Sequence, residues 1–161
     1  MHLCGSALLG FIEGRAAILD LMAGFARIQL NLEFGDMEGR YDPARLIAQM
    51  AAHPQFEFIV QYTERRQEML PQFAALDNHA ILFDASAGRG VAPDGWPAPL
   101  PGHFCGYAGG INPANVAMHL QKIEAAGATD TWIDMESGVR TDDRFDLEKV
   151  RVVLKTAQPY V

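Results

Sequence analysis

The 161-residue sequence has little of what marks several specialised protein classes. Its two cysteines, Cys4 and Cys105, are too few for a disulfide framework, so a reducing compartment is the default expectation. No apolar run approaches the about 18 residues of a membrane span, and the first residues do not resemble a signal peptide. The 13 lysines and arginines are outnumbered by 20 aspartates and glutamates, giving a net charge of −7. This balance disfavours a broad nucleic-acid or anionic-membrane footprint. We therefore predict a cytoplasmic protein with no nucleic-acid or membrane partner.

What the sequence does contain is typical of a globular chain, with 49% hydrophobic and 20% charged residues, and we predict a single domain over 1–161. Apolar segments rich in β-branched or aromatic residues recur 23 to 29 residues apart, an interval that suits a strand and a return helix. Alternating strands and helices imply an α/β fold, because parallel strands require long crossovers. The predicted strands are residues 27–32, 56–62, 80–84, 103–108 and 131–135, with a short candidate at 2–5.

Helix signals fill most of the intervals between these strands. Asp42 and Asn112 each precede a proline, the arrangement of an N-cap followed by proline at the first helical position. The last helix is predicted to start from Asp143 or Asp146. Its expected buried residues are Leu147, Val150, Leu154 and Ala157. Further helices are predicted over 8–23 and from Thr63, the latter carrying Met69, Leu70 and Phe73.

Residues 85–102 break the pattern, because glycines and prolines leave room for at most a single turn around Asp94. This long loop follows the carboxyl end of a strand, the side of a parallel sheet on which ligands bind. Asp84 closes that strand and opens the loop. A carboxyl between apolar neighbours can have a raised pKa and act as a general acid. The structural alternative is that Asp84 only caps a turn.

Two later segments predict a phosphate site. Gly109 and Gly110 lead from a strand into a helix N-terminus, where exposed N–H groups attract anions. Ser137 and Gly138 follow the next strand and can add a hydroxyl and an N–H group, since adjacent parallel strands bring their following loops together. Asp134 ends that strand. The alternatives are an ordinary glycine turn and, for Asp134, a structural hydrogen-bond acceptor.

Residues 81–90, 108–116 and 133–139 resemble three consecutive motifs of phosphoribosylanthranilate isomerase, a (β/α)₈ barrel of tryptophan biosynthesis, and residues 27–31 are similar to its fourth-strand motif. The resemblance spans about residues 27–154. It implies amino-acid biosynthesis by an isomerase that needs no cofactor or metal: an Amadori rearrangement of a phosphosugar amine. On the matching positions, Asp84 is the general acid, Asp134 lies near the substrate amine, and the phosphate is held by Gly109, Gly110, Ser137 and Gly138.

The sequence departs from this family in three respects. Only three predicted strands precede Asp84, where the family has five, so the chain is expected to form a partial barrel of strands 3 to 8. The family's base is a cysteine on its first strand; residues 2–5 imitate that motif, which makes Cys4 a weak candidate, with a small buried cysteine as the alternative. Arg89, Glu136 and Arg140 also differ from the family and leave the substrate amine open.

Six units cannot close an eight-stranded barrel. The chain is expected to be a fragment of a longer protein, with a homo-oligomer covering the open strand edges or a smaller sheet as alternatives. A fragment of this kind is expected to be inactive alone. The alternative functions are a non-catalytic phosphosugar-binding domain and another phosphate-binding barrel enzyme. An epimerase would place histidines at strand ends, whereas His53, His79 and His119 are expected at the surface and His103 at a strand start.

Overall fold

The structure, a computed structural model, describes residues 1–32, 40–62, 70–84 and 92–160. Thr63 and Met69 of one predicted helix, and residues 85–91 of the predicted loop, lie outside the described residues. So does Arg89, one of the departures from the family pattern.

Six parallel strands form one sheet in the order of the sequence, which confirms the α/β fold class and the six predicted strands. The strands are β1 His2–Cys4, β2 Arg27–Asn31, β3 Glu57–Tyr62, β4 His79–Asp84, β5 Cys105–Ala108 and β6 Thr131–Asp134. A two-stranded antiparallel ribbon, β7 Arg140–Thr141 and β8 Arg144–Phe145, follows β6. β5 begins later than predicted, because the His103 N–H donates to the Leu100 carbonyl in a turn.

The helices alternate with these strands. They are α1 Gly5–Ile12, α2 Ala16–Met22, α3 Pro43–Ala52, α4 Leu70–Phe73, α5 Val116–Ala125 and α6 Leu147–Ala157, with 3₁₀ turns at Ser137–Val139 and Gln158–Tyr160. No helix of the described segments is long and apolar enough to traverse a bilayer.

The chain divides into two compact units, Met1–Leu82 and Phe83–Val161. In the first unit, parallel pairing aligns Leu3 with Leu30 and Ile28 with Phe58. These residues are buried, so β1 to β3 contribute directly to its core. The Asp42 carboxylate accepts from the Ala44 N–H at 2.9 Å, which confirms the predicted cap of α3.

The predicted helix over 8–23 is instead two helices. Gly14 has a φ of +72°, a left-handed conformation that ends α1 before α2 begins at Ala16. The apolar periodicity continues across this break, which is why the pattern alone suggested one helix.

In the second unit, α6 begins where the sequence predicted. Asp146 caps it by accepting from the Glu148 and Lys149 N–H groups at 3.0 and 3.2 Å. The predicted buried face is wrong, because Leu147 is 71% and Leu154 66% exposed, whereas Val153 is buried. Val153 lies on a neighbouring side of the helix, so the packed face is rotated away from the predicted stripe.

Candidate functional site

All six residues predicted for the site lie in the second unit. The register of β5 and β6 pairs Ala108 with Asp134 at the ends of the two strands. Because the strands are parallel, the loops that begin at Gly109 and Met135 leave the same edge of the sheet.

A chain of aromatic contacts shows which face of these strands is covered by helix α5. The Phe83 ring lies 5.3 Å from that of Tyr107, Tyr107 lies 5.4 Å from Trp96, and Trp96 lies 5.5 Å from His119 on α5. Phe83 and Tyr107 therefore point towards the α5 side.

Successive side chains on a strand point to opposite faces. Asp84 follows Phe83, and Ala108 follows Tyr107, so both lie on the face away from α5. Asp134 is paired with Ala108 and shares that face. Both carboxylates are half-buried. The two acids singled out in the sequence are thus on one face of the sheet, at the carboxyl ends of their strands.

The glycine turn after β5 has the backbone conformation that glycine permits. Gly109 has a φ of +125° and Gly110 a φ of +62°, values that residues with a side chain rarely adopt. The Gly110 carbonyl accepts hydrogen bonds from the Nδ2 atoms of Asn112 and Asn115, at 3.2 and 2.9 Å. These bonds fix the orientation of the turn.

Helix α5 begins three residues after Pro113, so its predicted start is wrong. The cap bond predicted for Asn112 is nevertheless present, and Asn115 adds a second side-chain bond to this turn. The Asn112 N–H donates to Asn115 Oδ1 at 2.8 Å, and the Ala114 N–H donates to Asn112 Oδ1 at 2.9 Å. The N–H groups of Asn112 and Ala114, which the sequence predicted to be open to an anion, are therefore already hydrogen-bonded to side chains.

Within the described segments, neither the Gly109 N–H nor the Gly110 N–H donates to a backbone carbonyl. An anion at this turn would be held by these two amides rather than by the first turn of α5.

The loop after β6 packs directly on the loop after β5. A Cβ atom added to Gly138 would lie 2.1 Å from the Ile111 carbonyl oxygen and 3.2 Å from Asn112 Cα. Only a residue without a side chain allows this approach. The contact brings Gly138 and its neighbour Ser137 beside the glycine turn, so the two loops converge as the strand adjacency predicted.

The loop after β6 carries charged side chains that form ion pairs and hydrogen bonds nearby. Arg140 Nη2 pairs with Glu136 Oε1 at 3.0 Å, and Lys149 Nζ donates to the Arg140 carbonyl. Thr141 Oγ1 donates to Asp146 Oδ2 at 2.6 Å, and this bond, with those from the first amides of α6, lowers the pKa of Asp146. Glu136 is exposed and ion-paired.

Within the second unit, two side chains of α5 contact the segment 92–104. Trp96 Nε1 donates to His119 Nδ1 at 3.2 Å, and Lys122 Nζ donates to the Asp94 carbonyl at 3.0 Å. The Tyr107 hydroxyl adds a bond to the Pro97 carbonyl at 3.0 Å. Burial raises the pKa of Tyr107 to about 12, with the neighbouring Cys105 as a smaller cause, so Tyr107 remains a donor.

His119 is 1% exposed, so its predicted surface position is wrong. Because Nδ1 accepts from Trp96, the ring proton is on Nε2. Burial lowers the pKa of His119, and Lys122 lowers it further. The neutral ring is thus the form that fits this position.

Cys4 belongs to the first unit. It is the last residue of β1, is paired with Asn31 of β2, and carries a free, half-buried thiol. It therefore occupies the carboxyl end of a strand.

The structure adds residues that the sequence analysis missed. Asn115 positions the glycine turn, and the Trp96–His119 pair positions the preceding segment. The signal for Asn115 was present, since two asparagines three residues apart flank a helix start. The Trp96–His119 contact joins residues 23 positions apart and left no local pattern.

No known family model matches the chain, and no solved structure matches it.

Proposed function

We propose that this protein isomerises a phosphoribosyl amine by an Amadori rearrangement, in the manner of phosphoribosylanthranilate isomerase. The observation that carries the proposal is the close packing of Gly138 against the Ile111 carbonyl. This contact brings together the loops that follow two adjacent strands. Asp84 and Asp134 lie on one face at the same ends of their strands. The sequential strand order favours the barrel-type architecture, since doubly wound sheets reverse their order at a switch point.

In this proposal the two converging loops hold the phosphate. The N–H groups of Gly109 and Gly110 donate from one loop, and Ser137 and Gly138 contribute a hydroxyl and an N–H from the other. Backbone donors suit a chain with a net charge of −7, because they bind an anion without a basic patch.

Asp84 supplies the acid of the reaction. It donates a proton to the ring oxygen of the sugar, and the bond between that oxygen and C1 breaks as the ring opens. A base then removes the C2 proton, and the resulting enol becomes the ketone. Asp134 lies on the same face and contacts the amine in this arrangement. None of the six predicted site residues of the second unit is assigned as that base.

The second candidate function is phosphosugar binding without turnover. The observation that favours it is the division of the chain: the phosphate loops and Asp84 belong to the second unit, whereas Cys4 belongs to the first. Binding therefore requires only residues of the second unit.

Two measurements on the purified chain test the proposal. Binding of ribitol 5-phosphate, which carries the phosphate but cannot isomerise, is followed by calorimetry. Turnover of phosphoribosylanthranilate is followed by the formation of its aminoketose. We expect Asp84→Asn to abolish turnover and to leave ribitol 5-phosphate binding within about twofold of the wild type, because the acid is separate from the phosphate loops.

Asp94→Asn is the matched control, since Asp94 is exposed and interacts with Lys122 through its backbone carbonyl. Because a partial barrel is expected to be inactive alone, turnover is measured also on the chain together with whatever segment its gene encodes upstream. Wild-type binding without turnover in both forms would replace the isomerase proposal by the binding function. Absence of both would refute the two candidates, and equal turnover by wild type and Asp84→Asn would refute the assignment of the acid.

A further inference from the structure

Residues 92–104, which we call the strap, join the loop after β4 to the start of β5. The strap contains no helix or strand, and Trp96 is its only buried residue. Its carbonyl groups accept hydrogen bonds from Lys122 of α5 and from the Tyr107 hydroxyl of β5. Because so little of the strap is packed, its position on α5 depends strongly on the contact that Trp96 makes with His119.

The bond between Trp96 and His119 depends on the charge of the imidazole ring. Nδ1 of His119 accepts the indole N–H at 3.2 Å, so this nitrogen carries no proton. A protonated ring has an N–H group on both nitrogens and can accept at neither. Protonation therefore sets two N–H groups against each other and breaks the bond.

The covered ring also has no second partner that would stabilise a charge. His119 is 1% exposed, and no residue that the structure describes accepts a hydrogen bond from its Nε2 atom. A buried imidazolium here would leave both N–H groups without an acceptor, which is costly for a charged group. The Trp96 ring lies edge-on to His119, with 5.5 Å between the ring centroids. Movement of the strap would remove this cover and admit water to the ring.

The neighbouring groups do not offset the cost of a charge on His119. Lys122, on the next turn of α5, lowers the pKa of His119 further, after burial. Burial raises the pKa values of Cys105 and Tyr107 on β5, so both remain neutral. The other titratable or charged groups on the surrounding elements are Asp94 and His103 on the strap, Glu124 on α5, and Glu148, Lys149, Arg151 and Lys155 on α6, which packs on α5. Histidine is the side chain that ordinarily changes its charge between about pH 5 and 8.

We propose that the strap is a pH-sensitive element, in which protonation of His119 releases Trp96 and lets residues 92–104 move away from α5 while the rest of the second unit stays folded. Acid favours the released state, because a solvated histidine binds a proton near its ordinary pKa of about 6.5, whereas the covered ring does not. Release also frees Lys122 from the Asp94 carbonyl, so that both cationic groups are solvated together. The proposal concerns the strap alone and does not depend on the phosphate site.

Hydrogen exchange measured by NMR on the purified chain tests this proposal. The indole N–H of Trp96 and the amide of Leu100, which donates to Cys105 Sγ at 3.4 Å, report on the strap. The amide of Val153, in the interior of α6, reports on unfolding of the second unit. Rates are expressed as protection factors, which remove the intrinsic pH dependence of exchange.

Two results are expected for the wild type. From about pH 8 to about pH 5 the protection of the strap should fall by up to about thirtyfold, because opening becomes about tenfold easier for each pH unit below about 6.5. At each pH the strap should also be protected about tenfold less than Val153, or weaker still, because it opens without unfolding of the unit.

A variant that cannot titrate isolates His119 as the cause. His119→Asn places an amide oxygen at the position of Nδ1 and keeps an acceptor for Trp96, so strap protection should change by less than about twofold over the same pH range. His119→Gln, which also carries an amide oxygen, replaces it if circular dichroism shows that His119→Asn is unfolded. His103→Asn is the matched control on the strap itself. His103 Nδ1 contacts the Pro101 carbonyl at 3.0 Å and donates to it also when protonated, so this variant should keep the pH dependence.

Equal protection of Trp96 and Val153 in the wild type would overturn the proposal, because the strap would then open only when the unit unfolds. Strap protection that does not change with pH would overturn it as well, and so would the same change in wild type and His119→Asn. Loss of the pH dependence in His103→Asn alone would transfer the effect to His103 and refute the role of His119.

Discussion

The replacement of Gly138 by alanine tests the contact between the two loops most directly. The added Cβ would lie 2.1 Å from the Ile111 carbonyl oxygen, nearer than real Cβ contacts allow. The obstructing atom belongs to the backbone, so no side-chain rotation can relieve the overlap. The loops must therefore separate by about 1 Å, and overpacking of this kind costs about 1–3 kcal/mol.

The direction of the change in stability distinguishes a crowded glycine from an uncrowded one. Gly138 lies in a 3₁₀ turn and has no left-handed φ, so alanine at an uncrowded position of this kind would stabilise the protein by up to about 1 kcal/mol. We expect a loss instead, measured as a lower free energy of unfolding in urea. We also expect weaker binding of ribitol 5-phosphate, because the donors of the two loops move apart.

Gly95→Ala is the control for this experiment. Gly95 also has no left-handed φ, and an added Cβ would meet nothing within 4 Å. This variant should keep wild-type binding and have at least wild-type stability, with a gain of up to about 1 kcal/mol. If Gly138→Ala behaves like Gly95→Ala in both assays, the loops are not held by the contact, and the argument for a shared phosphate site fails.

Three further predictions concern hydrogen bonds around the site. Asn115→Ala should lower the free energy of unfolding by about 1–3 kcal/mol in urea, since it removes the bond from Asn115 Nδ2 to the Gly110 carbonyl and the bond from the Asn112 N–H to Asn115 Oδ1. Asn115→Asp should not recover this loss, because a carboxylate oxygen would face the Gly110 carbonyl in place of the donor; wild-type stability in Asn115→Asp would contradict this. Burial lowers the pKa of His119, so the unfolded chain binds a proton at this residue more readily than the folded chain does. The free energy of unfolding should therefore fall as pH drops below about 6.5. His119→Gln should flatten that part of the plot of urea midpoint against pH, and an unchanged slope would refute the prediction. Hydrogen bonds, first of all the one from Thr141, lower the pKa of Asp146 from its ordinary value of 3.8. The stability that the ionised Asp146 contributes is therefore present above that value and is lost as pH falls through the pKa of the folded protein. Asp146→Asn should lower Tm at pH 7, and its difference in Tm from wild type should shrink in acid.

The strands were the most predictable part of the fold. Residues 27–32 and 131–135 contained β2 and β6 to within one residue, because a short run of β-branched or aromatic residues between polar ones is a local signal. The cap at Asp146 was predictable for the same reason, since its carboxylate bonds amides two and three residues away. Features that depend on neighbours close in sequence were correctly predicted.

The errors arose where a side-chain contact or a packing partner, rather than the residue pattern, decided the outcome. Asn112 and Pro113 favour a helix start, but Asn115 turns its side chain back to the glycine turn, and α5 begins later. The apolar stripe of α6 indicated burial, yet a stripe shows only which side of a helix is apolar and not what packs against it. His119 carries no sequence mark of its contact with Trp96.

The amino-acid sequence by itself determined the alternation of strands and helices, the caps at Asp42 and Asp146, and the placement of Asp84, Asp134 and the glycines at strand ends. Local hydrogen bonding and periodic burial are enough for these features. The tertiary structure decided which groups come together: Gly138 against the Ile111 carbonyl, and the two carboxylates on one face. These relations depend on strand register and on packing between segments far apart in sequence, and no local pattern specifies either.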